Sequence, residues 1–347
     1  MLVIAGRIRV KPARREDAVR LALDVARETV QEPGCRSYRF YGDLEDPALF
    51  FIFEEWDGPD ALATAIAVAF PRSPMHLAYM GHDLQCASRG RFTLGLGTQV
   101  RAHVEKRYGA VWSRPIARMR EMVAAIRAIW RCWNEKERLD FRGEFYRHTL
   151  MTPLFMPDPS PWGPPPIMLA GVGAAMTRMV GEVADGLFVH PFHSPEFLRA
   201  TTLPALAEGW TRSGRRREDF TINCQALVVT GFSQEAARAA EQATRLQLAF
   251  YASTPQYRCV LDAHGWGAVQ DECHRLAKAG RWLEMGALVD DRMLDTFAIR
   301  CAPREVPARI AARLGGLADR VSLVCHANPQ HTHPEPWRDV LAACRRA

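Results

Sequence analysis

Hydrophobic positions in the first sixty residues switch between a strand period and a helix period. Apolar side chains alternate with other side chains over residues 2–10, which predicts a half-buried strand. Over residues 15–31 they recur every three or four positions, which predicts a helix with one buried face. Residues 35–41 and 49–56 are predicted as two further strands, joined by a turn at residues 43–47. The resulting β-α-β-β order indicates the beginning of an α+β sandwich.

From residue 63 onwards the pattern becomes one of apolar strands alternating with amphipathic helices. Strands are predicted at residues 63–70, 91–97, 167–170, 187–190, 221–230 and 320–325. For residues 63–70 a continued helix is the open alternative, because periodicity alone does not separate the two. Helices are predicted at residues 75–88, 174–183, 195–212 and 234–249, and further helical segments are predicted from there to about residue 317.

A further helix is predicted after Ser113, whose side chain can cap it, with Pro115 in its first turn. Its apolar stripe runs from Ile116 to Trp133. The repeated β-α order predicts an α/β fold with a parallel sheet.

Composition narrows the class of protein. The 347 residues predict about two domains, and no apolar run approaches the ~20 residues that cross a bilayer. The N-terminus lacks the features of a secretory signal, so we expect a cytoplasmic protein. Net charge is +6 and the basic residues are scattered, which argues against nucleic-acid binding. The nine cysteines form no CxxC pair, so neither a disulfide framework nor a metal site is expected.

The N-terminal segment resembles the antibiotic biosynthesis monooxygenase (ABM) family. The resemblance rests on Glu32-Pro33-Gly34-Cys35, Ser37-Tyr38-Arg39-Phe40-Tyr41 and Phe51-Ile52-Phe53-Glu54-Glu55-Trp56. It implies a ferredoxin-like α+β domain, usually dimeric, and in several members a cofactor-free oxidation of quinols or phenols. It covers about residues 1–62 and stops in a helix beginning at residues 58–62, before the family's final strand. The segment is therefore truncated, and none of its residues is assigned to chemistry.

A glycine turn, Gly171-Val172-Gly173, joins a predicted strand to a predicted helix. Such a turn lets backbone N–H groups approach a phosphate, and the helix N-terminus adds partial positive charge. By itself the turn is a weak signal, because glycines often serve only to reverse the chain.

Residues 63–325 resemble the luciferase-like monooxygenase superfamily, in its branch that uses the deazaflavin coenzyme F420. The resemblance rests on the glycine turn and on Ala69-Phe70-Pro71-Arg72-Ser73-Pro74, Gly90-Arg91-Phe92-Thr93-Leu94-Gly95-Leu96-Gly97-Thr98, Phe141-Arg142-Gly143-Glu144-Phe145-Tyr146 and Gly181-Glu182-Val183-Ala184-Asp185-Gly186. It implies a (β/α)8 barrel with the cofactor at the C-terminal ends of the strands. Residues 326–347 remain as a C-terminal tail.

The resemblance also implies cofactor-binding residues. Ala65 and Ile66 would form a non-prolyl cis peptide, a bulge pressed against the deazaflavin ring. The strand-end Thr98 and the loop residue His103 would lie beside the ring or its ribityl chain. The phosphate would be cradled by Ala170, Gly171, Val172 and Gly173, and His190 would lie near the same pocket. The implied cofactor is F420, with FMN as the alternative. The implied partners are a small organic substrate and a second copy of the chain, and the catalytic residues stay unassigned.

The resemblance begins at the third barrel strand, so the first two βα units are absent. In relatives these units supply polar residues that act in proton transfer, and this chain has no counterpart for them. The fold expected is a partial (β/α)8 barrel preceded by a truncated ABM-like segment, with two open sheet edges. Three functions follow: an F420-dependent oxidoreductase that transfers a hydride, a cofactor-free ABM-type oxygenase, and a non-catalytic fusion product.

Overall fold

The N-terminal segment forms a small antiparallel sheet with one helix. The computed structural model describes residues 2–9, 15–29, 35–42, 49–56, 62–326 and 335–344. The first four elements are β1 (Leu2–Arg9), α1 (Arg15–Thr29), β2 (Cys35–Gly42) and β3 (Leu49–Trp56). The strands pair antiparallel in the order β1-β3-β2. The predicted β-α-β-β order is confirmed, whereas the predicted turn at residues 43–47 lies outside the described residues.

The remaining elements alternate between strands and helices along the chain. The strands are β4 (Leu62–Ala63), β5 (Ala67–Val68), β6 (Phe92–Gly97), β7 (Phe141–Arg142), β8 (Arg147–His148), β9 (Ile167–Gly171), β10 (Gly186–Val189), β11 (Thr221–Val229), β12 (Ala298–Arg300) and β13 (Arg320–Val324). The helices are α2 (Pro74–Ala87), α3 (Arg101–Lys106), α4 (Pro115–Glu135), α5 (Ala174–Val183), α6 (Pro195–Phe197), α7 (Leu203–Ser213), α8 (Gln234–Ala252), α9 (Arg258–Asp262), α10 (Gly267–Lys278), α11 (Trp282–Met285), α12 (Asp291–Phe297), α13 (Val306–Leu314) and α14 (Glu335–Cys344).

The main sheet is parallel and forms a partial barrel. Its strand order is β12-β11-β10-β9-β6-β4, with β5 also paired to β6 and β13 also paired to β11. In the part of the chain that the structure describes, no strand pairs with the outer edges of β4, β5 or β13. The sheet therefore remains open where a complete barrel would close, as the absence of two βα units predicts.

The core lies between this sheet and the helices that cover it. All residues of β6 are buried, because the strand has neighbours on both sides and helices α2 and α4 pack over it. The predicted stripe of α4 faces the core, with Met119, Ile126 and Trp133 each at most 1% exposed. Trp130 in this stripe also donates a hydrogen bond to the carbonyl of Ala78, 3.0 Å away.

The prediction that Ser113 caps α4 is wrong. The helix begins at Pro115, and the residue at the cap position is Arg114, which has a left-handed backbone (φ 33°) and makes no capping hydrogen bond through its side chain. The helical alternative for residues 63–70 is also wrong, because the segment contains the short strands β4 and β5. The helix predicted at residues 195–212 is divided by a π-helical turn at Leu198–Thr202.

The sequence pattern does not predict strand β12 or helix α14. Strand β12 occupies part of a segment predicted as helical, and it pairs with the end of β11. Helix α14 falls in the segment assigned to a C-terminal tail. Its Trp337 and Val340 are buried in one cluster with Val228 and Val306, so this helix is packed on the partial barrel.

Candidate functional site

A cavity of about 600 Å³ opens at the C-terminal ends of strands β6, β9 and β10 and is also lined by residues 65 and 66, which lie between β4 and β5. Its lining includes the strand-end residues Gly97, Gly171 and Val189. Of the nine residues that the sequence assigns to the cofactor, eight line this cavity, namely Ala65, Ile66, Thr98, Ala170, Gly171, Val172, Gly173 and His190. This size lies within the range of small-molecule and cofactor sites.

The wall formed by β4 and β5 is held against β6 by a side chain. The peptide bond between Ala65 and Ile66 is cis, as the resemblance implies. Just before it, Thr64 Oγ1 donates to the carbonyl of Gly95 at 2.8 Å and accepts from the N–H of Gly95 at 2.9 Å. A β-carbon on Gly95 would lie 1.7 Å from the carbonyl oxygen of Thr64, so only glycine fits there. This wall is therefore fixed by the Thr64 side chain and by close contact between the two backbones.

The residues that follow β6 line the cavity. Thr98 follows the strand, and its hydroxyl donates to the carbonyl of Gln99 at 2.9 Å. Gln99 has a left-handed backbone (φ 62°), and its side chain accepts the N–H of Val100. The prediction that His103 lies in a loop is wrong, because it belongs to α3. His103 is not among the residues that line the cavity, whereas Val100, just before α3, is.

The turn between β9 and α5 leaves its backbone open. Gly173 occupies the cap position of α5 with φ −74° and ψ 149°, and no side chain caps the helix. A β-carbon on Gly173 would meet no atom within 4 Å, although residue 173 lines the cavity. The first N–H groups of a helix lack partners within the helix and carry partial positive charge. The start of α5 is therefore suited to an anion such as a phosphate.

His190 follows β10 and is held as a neutral side chain. The N–H of Phe192 donates to Nδ1 of His190 at 3.1 Å. Burial lowers the pKa of His190 to about 3, and the neighbouring His193 adds to the effect. The ring packs against two tyrosines, with centroid distances of 4.7 Å to Tyr251 and 4.5 Å to Tyr257.

The sequence analysis missed these two tyrosines. Tyr251 lies near the end of α8, and Tyr257 lies just before α9. Burial raises the pKa of Tyr257 to about 12, so both the tyrosine hydroxyls and the imidazole are neutral near pH 7. An aromatic residue at a helix end carries no signal that it will meet a histidine some 60 residues earlier, so spacing alone could not reveal this cluster.

The described residues that line the cavity include none with a charged side chain. Polar groups come instead from threonine, glutamine, tyrosine and histidine, and the rest of the lining is apolar. Among the described residues, no group of three or more His, Cys, Asp or Glu side chains could hold a metal ion. Those residues likewise include no helix that combines the length and apolar character of a membrane span.

The partial barrel defines the class of protein. The luciferase-like monooxygenase family matches residues 61–320, which is most of the chain, and the protein belongs to that family. The antibiotic biosynthesis monooxygenase family matches residues 1–66. The two matches agree with the two resemblances seen in the sequence.

The chain is also similar to individual proteins. An uncharacterised protein of Mycobacterium tuberculosis (strain H37Rv) is 50% identical over 260 residues, covering 75% of this chain and 76% of the relative. An F420-dependent glucose-6-phosphate dehydrogenase of Nakamurella multipartita is 31% identical over 197 residues, covering 56% and 55% of the two chains. The structure of coenzyme F420-dependent tetrahydromethanopterin reductase from Methanopyrus kandleri has a TM-score of 0.61, at 18% identity and with 78% of each chain covered. At that identity the last comparison supports the fold alone.

Proposed function

We propose that this protein is an F420-dependent oxidoreductase that transfers a hydride between the cofactor and a small organic substrate. The observation that carries the proposal is the open turn at Gly173, which presents the start of α5 to a cavity at the strand ends. The named F420-dependent relative supports the choice of cofactor.

The residues of the cavity fit a cofactor that carries a phosphate. The glycines at positions 171 and 173 leave the backbone at the start of α5 accessible, and the described lining contains no carboxylate that would repel an anion. Ala170, Gly171, Val172 and Gly173 would hold the phosphate through backbone N–H groups. The Ala65–Ile66 bulge and Thr98, which line the same cavity, would contact the ring system.

The protein's contribution to the reaction is to bind, orient and exclude water. When bound, F420 supplies the hydride or accepts it. The fixed wall at Thr64 and Gly95 keeps the Ala65–Ile66 bulge in place, and the apolar lining keeps water from the reacting centre. No side chain is assigned to proton transfer.

A fluorescence titration with F420 tests the proposal, with FMN as the control ligand. Gly173→Asp places a negative charge at the start of α5, and Gly173→Asn places a side chain of the same size without the charge. Since a β-carbon at this position meets nothing within 4 Å, both variants should fold. We expect saturable binding by the wild type and at least tenfold weaker binding by Gly173→Asp than by Gly173→Asn.

Equal binding by the two variants would contradict the phosphate cradle. A folded wild-type protein that binds no F420 would overturn the proposed cofactor, and saturable binding of FMN alone would transfer the assignment to FMN.

A further inference from the structure

The cavity holds a second polar site after strand β10. It consists of His190 together with the two tyrosines that pack against its ring. All three residues line the cavity, and none of them belongs to the turn at the start of α5. The three residues are therefore distinct from those of the phosphate cradle, although strand pairing places His190 next to the end of β9.

The hydrogen bonding of His190 fixes where its proton lies. Because the N–H of Phe192 donates to Nδ1, that nitrogen must be unprotonated. Burial lowers the pKa of the ring to about 3, so the imidazole is neutral at pH 7 and carries its one proton on Nε2. No described residue hydrogen-bonds to Nε2. His190 thus offers the cavity a single hydrogen-bond donor.

The surroundings of this donor determine what it can bind. Away from the start of α5, a charged ligand group would lose its hydration against a described lining that offers no charged side chain, and an unpaired buried charge is costly. A neutral carbonyl or hydroxyl oxygen can accept the Nε2 proton without that cost. The faces of Tyr251 and Tyr257 add flat apolar surface beside it.

We infer that this site takes an uncharged, largely apolar substrate that carries a carbonyl or hydroxyl oxygen, and that His190 Nε2–H donates a hydrogen bond to that oxygen. The inference rests on the proposed function, since it names the substrate class that would bind beside the cofactor. It assigns His190 to the substrate, whereas the sequence resemblance groups it with the cofactor.

Three probes of similar size separate the parts of this inference. Acetophenone has a carbonyl oxygen, ethylbenzene lacks the oxygen, and benzoate is charged. Their dissociation constants would be measured by ligand-observed NMR in the presence of saturating oxidised F420, so that no hydride is available. We expect wild-type protein to bind acetophenone at least tenfold more tightly than benzoate.

Substitutions at His190 test the hydrogen bond. His190→Phe keeps a flat ring without the donor, and His190→Gln restores an N–H donor. We expect His190→Phe to weaken acetophenone binding three- to tenfold and to change ethylbenzene binding less than twofold. His190→Gln should bind acetophenone within threefold of the wild type, and the exposed His76→Phe should change nothing.

A second measurement needs no variant. In wild-type protein labelled with ¹⁵N-histidine, the His190 ring should show a neutral imidazole protonated at Nε2. Its Nε2 signal should shift on addition of acetophenone and remain unchanged with ethylbenzene. This measurement tests the hydrogen bond from His190 Nε2 even if the His190→Phe variant does not fold.

The outcomes distinguish this inference from the proposed cofactor. The inference would be overturned if the wild type bound benzoate as tightly as acetophenone. It would also be overturned if His190→Phe weakened the binding of acetophenone and ethylbenzene equally, or if the His190 ring were protonated on Nδ1. A folded His190→Phe variant that loses F420 binding would overturn it as well, because His190 would then serve the cofactor. If wild-type protein binds acetophenone as described but binds no F420, the proposed cofactor fails and the substrate site stands.

Discussion

Gly95 lies in a strand that ends at the cavity, and Gly173 lines the cavity itself, and they are glycines for opposite reasons. A β-carbon on Gly95 would lie 1.7 Å from the Thr64 carbonyl oxygen and 2.6 Å from the Phe188 ring, whereas one on Gly173 would meet nothing within 4 Å. Gly95 allows two strands to pack closely, and Gly173 leaves a helix start uncovered. The first glycine serves the fold, and the second keeps room for a ligand.

This difference shows how an incomplete barrel can still form a site. The wall of β4, β5 and β6 is fixed by backbone contacts and by the two hydrogen bonds of Thr64. The wall of β9, α5 and β10 belongs to the continuous part of the sheet, so its strand ends are held by parallel neighbours on both sides. Neither wall requires the two absent βα units.

The largest effect should come from Gly95→Ala. The added methyl group overlaps a backbone carbonyl that cannot move without breaking the Thr64 contacts, and overpacking of this kind costs at least about 3 kcal/mol. Urea unfolding should show that loss of free energy of unfolding, or the variant should fail to fold. A variant as stable as the wild type would mean that the β4–β6 wall is not closely packed.

Acid should destabilise the protein through His190 and His193, two buried histidines after strand β10. Burial lowers the pKa of His190 to about 3 and of His193 to about 4, against an ordinary value of 6.5. Above pH 6.5 both the folded and the unfolded chain hold these rings neutral, so the stability is fully present there. As the pH falls below 6.5 only the unfolded chain takes up protons, and the free energy of unfolding should drop by about 2 kcal/mol or more between pH 7 and pH 5.

Urea unfolding at pH 7 and pH 5 checks this expectation. Because His190→Phe removes one of the two rings, this variant should lose less stability over that interval, whereas His76→Phe should match the wild type. The same acid loss in all three proteins would show that the buried histidines do not cause it.

The smallest effect on stability should come from Gly173→Asn. Its backbone is extended rather than left-handed, so a side chain introduces no backbone strain, and asparagine is at least as good a helix cap as glycine. The free energy of unfolding should change by no more than about 0.5 kcal/mol. A loss as large as that of Gly95→Ala would remove the distinction between the two glycines.

Much of the fold could be predicted because it follows local periodicity. The helix at residues 174–183 and the strand at residues 49–56 have the predicted bounds, and the other strands begin and end within a residue or two of prediction, apart from the split at β4 and β5. The errors arise where tertiary context decides. The left-handed backbone of Arg114 displaces the expected cap, and β12 becomes a strand only because β11 extends far enough to pair with it.

Some residues of the candidate site could also be predicted from the sequence, and others could not. Residues at strand ends and in the glycine turn could be located, because the ends of parallel strands meet at one edge of a sheet. His103 was predicted in a loop, but it lies in helix α3 and is not among the residues that line the cavity. Tyr251 and Tyr257 could not be found, because they reach His190 only through the packing of α8 and the segment after it.

The most direct test of the account is the stabilisation that F420 confers on the wild type and on the Gly173→Asp variant. Without ligand, the free energies of unfolding of the two proteins, measured with urea, should agree within about 0.5 kcal/mol. At an F420 concentration of about 100 times the wild-type dissociation constant, the wild type should gain about 2.7 kcal/mol. Binding tenfold weaker would limit the gain of Gly173→Asp to about 1.4 kcal/mol. Equal gains by the two proteins, or no gain by the wild type, would contradict a cofactor site at the start of α5.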